Sequence, residues 1–506
     1  LFCNKLRYII FYLSLTFTAV WGRGNNLTIH SVQLISSNTI SCSISWENSW
    51  KTDTTKIPHN HDAAYIFIKK QNLDGLWSSQ IVDVTSISIL AKQAVGLKSV
   101  PQNIGFLILP LQDTITIETT ISIQLNERLD TFAAIKIIGI EMVYIPTDTF
   151  FIGDNKSVGR LGTASSLFPY TISSENLIPV RKGPNSLDAY YDSTIENSTK
   201  VFPDGDIPAT YPKGFNAFYC MKYEISQEQY VAFLNTLTYA QQYERTGIPV
   251  LNSNRYEVFG NISKNQNGIC ADLTKNPVFF YNDLNATNER NSHDDGQAKA
   301  CNFLSWSDLA AYLDWSGLRP MTELEYEKIC RGPMTFKERE YAWGNDSMTD
   351  AQIVIANGTL QETYGDTLKA NCGLANRGTY NPSKDNTAMR CGFAAGPQTN
   401  RLSAGSSYFG VMEMSGNLWE QVINLSKKGI DYTGSHGDGI IDEKGNATNV
   451  DWDPILCEAS GVKGGGWNSG IQLPYNDCAV SDRFYVYQIQ KNKRNTVGGR
   501  GVISVK

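Results

Sequence analysis

The sequence predicts two unlike architectures in one chain of 506 residues: an all-β sandwich of immunoglobulin-like type over residues 25–136, then a longer region, residues 137–506, in which a few helices are set among long polar connections. Three observations predict this. Residues 27–135 run in short β-branched segments punctuated by Asn, Asp, Gly and Pro. Capped helical patterns begin only near residue 225, and the end of the chain is rich in glycine and aromatic side chains instead of helix formers.

The opening LFCNKLRYIIFYLSLTFTAVWGRG, residues 1–24, places Lys5 and Arg7 before an apolar run over residues 8–20 and then turns to small and polar residues. That is the layout of a secretory signal peptide, so the mature protein is expected to be exported, secreted or held at a cell surface or in a periplasm. The run is short and wrongly flanked for a membrane span, a membrane-anchored N-terminus being the alternative, and no later segment reaches about 18 uninterrupted apolar residues. Cys3 precedes the run, which is not where a lipid-modified cysteine sits.

The sandwich is read from TIHSVQLI, TISCSISW, AAYIFIKK, TSISIL, IGFLILP and TITIETTISIQL, which alternate or form brief apolar runs; about seven strands and no convincing helix follow. Trp46, Trp50 and Trp77 are assigned to core or inter-sheet packing before a ligand cage, because sandwiches commonly bury such rings. The string His59-Asn60-His61 spells a nuclease motif by letters alone, in a polar loop without the βα-metal context that chemistry needs.

A new pattern starts at IIGIEMVYIPTDTFFIGD, residues 137–154. EISQEQYVAFLNTL opens with Ser226 and carries Gln229 three residues later, a capping box, with Tyr230, Phe233, Leu234 and Leu237 on one face. SWSDLAAYLDWSG starts similarly with Ser305 and Asp308 and stops at Gly317, and RPMTELEYEKICRG repeats the box with Thr322 and Glu325. Glu323, Glu325 and Glu327 have a sufficient structural reason in the unpaired N–H groups and dipole of a first turn. Gly464 to Gly466 is no phosphate loop, since no Lys-Ser/Thr follows; close backbone packing against Trp467 is the expected use.

A formal net charge of -6 without a basic stripe excludes nucleic acid as a natural partner. Ten cysteines contain no C-x-x-C pair, which argues against zinc-ribbon and thioredoxin-type chemistry, while export would permit scattered disulfides. GVMEMSGNLWEQ, residues 410–421, sets Glu413 and Glu420 around a Ser-Gly-Asn turn; spacing alone leaves open a metal loop, a catalytic pair or a solvated turn.

The ordered set GIEMVYIPTDTFFIGD, FYCMKYEISQEQYVAFLN, LSWSDLAAYLDWSGLRPMTELEYEKICRG, YAWGN, GVMEMSGNLWE, GGGWNSG and GGRGV resembles the formylglycine-generating enzyme, or sulfatase-modifying factor, superfamily from about residue 139 onward. The resemblance implies an α+β, C-type-lectin-like fold, low in regular secondary structure and metal-stabilised. The preceding sandwich looks like the module found beside such domains in exported proteins of Bacteroidota. By the same resemblance a structural calcium ion would be held by Glu413, the carbonyls of Gly416 and Leu418, and Glu420, an all-oxygen set that suits a hard cation. A second calcium site would use Asn371 and Asp385, and a disulfide would join Cys330 to Cys478.

The family's oxidation of a substrate cysteine to formylglycine uses two nearby cysteines that bind copper(I), since soft thiolates select that ion. The corresponding window, residues 467–483, contains only Cys478, so copper is not expected. The related iron chemistry needs a histidine cluster, and His30, His59, His61, His293 and His436 supply no ligand spacing in the C-terminal region. No G-x-S-x-G elbow supports serine catalysis. The expected function is therefore a non-catalytic surface or envelope module that binds a protein or glycan ligand, or joins an envelope assembly. Asn468, Tyr475, Asn476, Tyr485 and Tyr487 are its candidate contacts. The alternative is a copper-dependent oxidase acting on sulfatase-type peptides.

Overall fold

The computed structural model describes residues 26–52, 57–90, 95–113, 116–128, 132–190, 203–351, 353–365, 373–377, 387–396, 398–472 and 475–505. The expected signal segment, Asn371 and Asp385 lie outside these residues, and Tyr475 is described as backbone only. Among the described residues no helix is long and apolar enough to cross a membrane.

Among the described residues nine strands come first: β1 (Thr28–Ser36), β2 (Thr39–Glu47), β3 (Asp62–Asn72), β4 (Trp77–Ser79), β5 (Ile87–Ile89), β6 (Val95–Ser99), β7 (Gly105–Pro110), β8 (Thr116–Gln124) and β9 (Phe132–Ile145). One antiparallel sheet has the order β1-β2-β8-β5. The other runs β6-β7-β3-β9 and then continues without a break through the strands Phe218–Met221, Gly501–Ser504 and Arg319–Pro320. The N-terminal region and the rest of the chain therefore share a sheet.

The unbroken apolar run of β3 explains that continuity. Successive strand side chains alternate between faces, so a strand apolar at every position must be covered on both. Ala64, Ile66 and Ile68 pack with Ile40, Ile44, Trp46 and Ile121 between the two sheets. Ala63, Tyr65 and Phe67 pack instead into a second core with Phe233, Leu309 and Trp315. The Phe67 and Trp315 rings meet edge to face at 5.2 Å, and Tyr65 Oη donates to the Ser316 carbonyl at 2.8 Å. The boundary expected at residues 136/137 falls inside β9, which pairs with β3 along one edge and with Phe218–Met221 along the other.

Among the described residues five helices follow: α1 (Gln227–Leu234), α2 (Tyr239–Thr246), α3 (Ile262–Asn265), α4 (Trp306–Ser316) and α5 (Glu323–Arg331). The three capping boxes read from sequence are formed at Ser226/Gln229, Ser305/Asp308 and Thr322/Glu325. Helix α2 has a fourth, Thr238/Gln241, and ends at Gly247 in the left-handed conformation; its YAQQYERT is polar overall, with few apolar side chains to announce it. All nine residues of α5 are buried, charged ones included. Glu323 pairs with Arg483 at 2.5 Å, Glu325 with Arg319 at 2.6 Å and Glu327 with Lys463 at 3.4 Å, while Arg331 pairs with Glu340. These acids are structural, each compensated by a buried cation; Glu323 and Glu325 lie in the first turn, Glu327 beyond it.

Candidate functional site

The loop of residues 410–421 is wound tightly, with φ positive at Glu413, Gly416 and Asn417. Gly416 is required: at φ +94 an added Cβ would meet Ala375 Cβ at 3.0 Å and the Asn376 carbonyl at 3.1 Å. Asn417 is the hub. Its Oδ1 accepts from Met389 N at 2.8 Å and Asn376 Nδ2 at 3.0 Å, and its Nδ2 donates to Glu224 Oε2 at 2.5 Å. Glu224 Oε1 also accepts from Leu418 N at 2.9 Å.

Three carboxylates, Glu224, Glu413 and Glu420, thus gather around Arg500 in the interior. Glu420 Oε1 accepts from Arg500 Nε at 2.6 Å, and Glu413 Oε1 from Gly392 N at 3.1 Å. Burial pushes the Glu413 carboxyl up to about 7, against the pull of Arg500, and raises Glu224 and Glu420 as well. Glu413 Oε2 and Glu420 Oε2 are buried without a hydrogen-bond partner. Glu224 was not singled out in sequence; it lies in KYEIS, far from the loop it stabilises.

Gly464, Gly465 and Gly466 pack against this loop and against Cys478. An added Cβ would meet the Met414 carbonyl at 2.7 Å from Gly464, Cys478 Sγ at 2.5 Å from Gly465 and Trp419 Cδ1 at 3.0 Å from Gly466. Cys478 is buried, and burial pushes its thiol up from the ordinary range. The bridge expected between Cys330 and Cys478 is not formed, and all eight described cysteines are free and buried. The two thiols pack in different clusters, Cys330 with Ile329 and Met321, Cys478 with Tyr341 and Trp343.

Of the candidate contact residues whose side chains are described, only Asn468 is exposed. Asn476 is buried and donates to Tyr341 Oη at 3.0 Å. Tyr485 is half-buried against Trp419 at 5.3 Å, and Tyr487 lies under the Arg483 guanidinium at 5.8 Å. Packing thus claims most of them. Two of the histidines are also structural: His61 Nε2 meets Tyr219 Oη at 3.0 Å, and His436 Nε2 accepts from Ser504 N at 2.9 Å, which requires a neutral ring. Burial lowers both, to about 4 and about 3. No three His, Cys, Asp or Glu side chains converge as a metal shell among the described residues.

A cleft of about 850 Å³ opens between the two halves of the molecule. Trp50, Thr52 and Asn60 line it from the N-terminal side, Lys222, Arg401 and Tyr408 from the other. Asn60 Nδ2 donates to the Phe409 carbonyl at 2.7 Å across the junction. Asp62 accepts from Trp46 Nε1 at 2.9 Å and Ser49 Oγ at 2.8 Å, which fixes the turn carrying Trp50. Trp46 is a core ring as expected, and Trp50 packs against a core cluster while also forming a wall of the cleft.

A mixed, sheet-rich scaffold whose site is held by loops and glycines, with few short helices, defines the class. A profile of the sulfatase-modifying factor enzyme 1-like domain matches residues 171–504, and the chain belongs to that family. It is similar to the formylglycine-generating enzyme of Bos taurus, 28% identical over 151 residues, which is 29% of this chain and 38% of that protein. It is also similar to hercynine oxygenase of Mycobacterium tuberculosis, 37% identical over 59 residues, 12% of this chain and 14% of that protein. The matches thus span well under half the length of either relative.

Proposed function

We propose that this chain is an exported, non-catalytic member of its family, a binding or structural module of a cell surface or envelope. In this reading its β-rich N-terminal region is an immunoglobulin-like sandwich, and the remainder has the C-type-lectin-like form. Its partner is a protein or glycan ligand, or the other subunits of an envelope assembly. One observation carries the non-catalytic reading: Cys478 is the sole cysteine in residues 467–483, and its thiol is buried with its pKa raised. Copper(I) selection needs paired soft thiolates, and a thiol held protonated by burial is a poor ligand. The second reading, a copper-dependent oxidase forming formylglycine, is favoured by the similarity over 151 residues to an enzyme of that name. Copper(I) titration and oxygen uptake with a cysteine-containing peptide separate the two. Neither stoichiometric copper binding nor turnover is expected, and tight copper with oxygen consumption would reverse the assignment.

Calcium in this reading is structural. Glu413, the carbonyls of Gly416 and Leu418, and Glu420 offer an all-oxygen set, and the buried, unpartnered Glu413 Oε2 and Glu420 Oε2 suit a hard cation. A second ion would involve Asn371 and Asp385. Adding calcium to chelator-stripped protein is expected to raise the melting temperature by several degrees, about 1–3 kcal/mol at saturation well above Kd. Glu413→Gln should abolish most of that rise; an unchanged melting curve in the native chain would remove calcium from the account.

A further inference from the structure

The cleft between the two halves collects buried polar donors that the fold leaves unused. Tyr223, Tyr408 and Arg401 line it, and Tyr223 Oη, Tyr408 Oη and Arg401 Nε are each buried without a hydrogen-bond partner. Leaving such a group unmade in a folded protein costs about 1–3 kcal/mol, and three in one cleft call for a ligand that accepts. Lys222 adds a cation. Its Nζ lies 4.8 Å from the Trp50 ring centroid and 5.3 Å from that of Tyr223, and its nearest carboxylate, Glu141, is 3.9 Å away, at the edge of ion-pair range. Arg401 stacks over Tyr408 at 5.3 Å and donates Nη2 to the Ala342 carbonyl at 2.8 Å.

The charge balance has a sign. Among the described lining residues Lys222, Arg390 and Arg401 face a single acid, Glu47, which accepts from Asn26 Nδ2 at 2.9 Å. Behind the wall Glu141, Asp62 and Glu413 face Lys222, Glu413 and Glu362 face Arg390, and Glu362 also accepts from Arg390 Nε through its backbone carbonyl at 2.9 Å; among the described residues no ion pair of Arg401 with a carboxylate is formed. Around these cations the wall carries Asn48, Thr52, Asn400, Ser406 and Ser407, hydroxyl and amide groups that pair with ligand hydroxyls. Trp50 and Phe393 supply flat apolar faces. A volume of about 850 Å³ lies in the range of small-ligand sites, roughly 300–1,000 Å³, and below that of a folded partner.

From this geometry we propose that the cleft binds a carboxylate-bearing saccharide, with Lys222 and Arg401 on the carboxylate, Tyr223 and Tyr408 donating to its oxygens, and Trp50 against the sugar ring. The inference deepens the binding-module reading and rests on it by naming the ligand class. Two-sided construction gives the site its shape: neither the turn carrying Trp50 nor the segment carrying Tyr408 encloses it alone, and the Asn60 bond to Phe409 holds them together.

The unused hydroxyls supply the test. A Tyr→Phe change that removes an unpaired buried hydroxyl leaves stability unchanged or improved, yet removes a donor the ligand would use. Titration calorimetry of the full chain would compare trigalacturonate, its neutral methyl ester and triglutamate. Trigalacturonate should bind at least about tenfold more tightly than either of the others, and Tyr408→Phe and Tyr223→Phe should each weaken it about tenfold at unchanged unfolding midpoint. Absence of trigalacturonate binding at millimolar concentration, equal binding of triglutamate or the ester, or full affinity in both variants would each overturn the proposal. Copper-dependent turnover alongside saccharide binding would instead overturn only the non-catalytic reading.

Discussion

Replacing Arg500 by Gln is expected to destabilise the protein by about 3–5 kcal/mol, the cost of breaking a buried ion pair from one side. Arg500 is fully buried, donates Nε to Glu420 at 2.6 Å and reaches the Met221 and Lys222 carbonyls through Nη1 at 3.3 and 3.2 Å. It also opposes the upward push of burial on Glu224, Glu413 and Glu420. Without it three carboxyls would share a dry site that lacks its guanidinium, relieved only by protonation or by a bound cation such as the calcium proposed above. Urea unfolding followed by tryptophan fluorescence should show the loss. The double variant Arg500→Gln with Glu420→Gln should recover part of it, because the pair is then removed together. A loss below about 1 kcal/mol would show that the cluster is held chiefly by its backbone bonds and not by charge.

The second large effect concerns the junction. A chain beginning at residue 137, the boundary expected from sequence, should fail to fold cooperatively. It would lack β3, β6 and β7 and would lose the start of β9, leaving Trp315, Leu309 and Phe233 without Tyr65, Phe67 and Leu107. Burial of each such large side chain stabilises by about 1.5–3 kcal/mol. Three of them together approach the total of about 5–15 kcal/mol that a folded domain has. Calorimetry should give one coupled transition for the region around β3 and β9 in the full chain, and none for the truncated one. A truncated chain melting cooperatively at the parent temperature would make the two halves independent domains.

The helix starts were legible because capping chemistry is local: a side chain meets backbone donors three residues away, so Ser226, Ser305 and Thr322 announced α1, α4 and α5 in plain text. Strand positions were legible for the same reason, through alternation and turn residues. The domain boundary was not, since IKIIGIEMVYI reads equally well as the end of one sheet or the start of another. Pairing on both edges of β9 is a long-range fact.

Site residues divide along the same line. GVMEMSGNLWE announced Glu413 and Glu420, but their neighbours Glu224 and Arg500 lie far away in sequence, and nothing in KYEIS or GGRGV says that these charges meet. Likewise Trp50 read as a packing ring, and Tyr408 drew no notice; only their approach across the Asn60–Phe409 contact made a cleft. The sequence by itself determined the family, the capped helices, the β-rich start and Cys478 as the one cysteine of residues 467–483. Tertiary structure alone decided which faces of β3 were covered by what, which carboxylates shared Arg500, and which polar donors were left over. The reason is physical: capping and periodicity act over a few residues, whereas burial, charge compensation and unsatisfied donors depend on segments that only folding brings together.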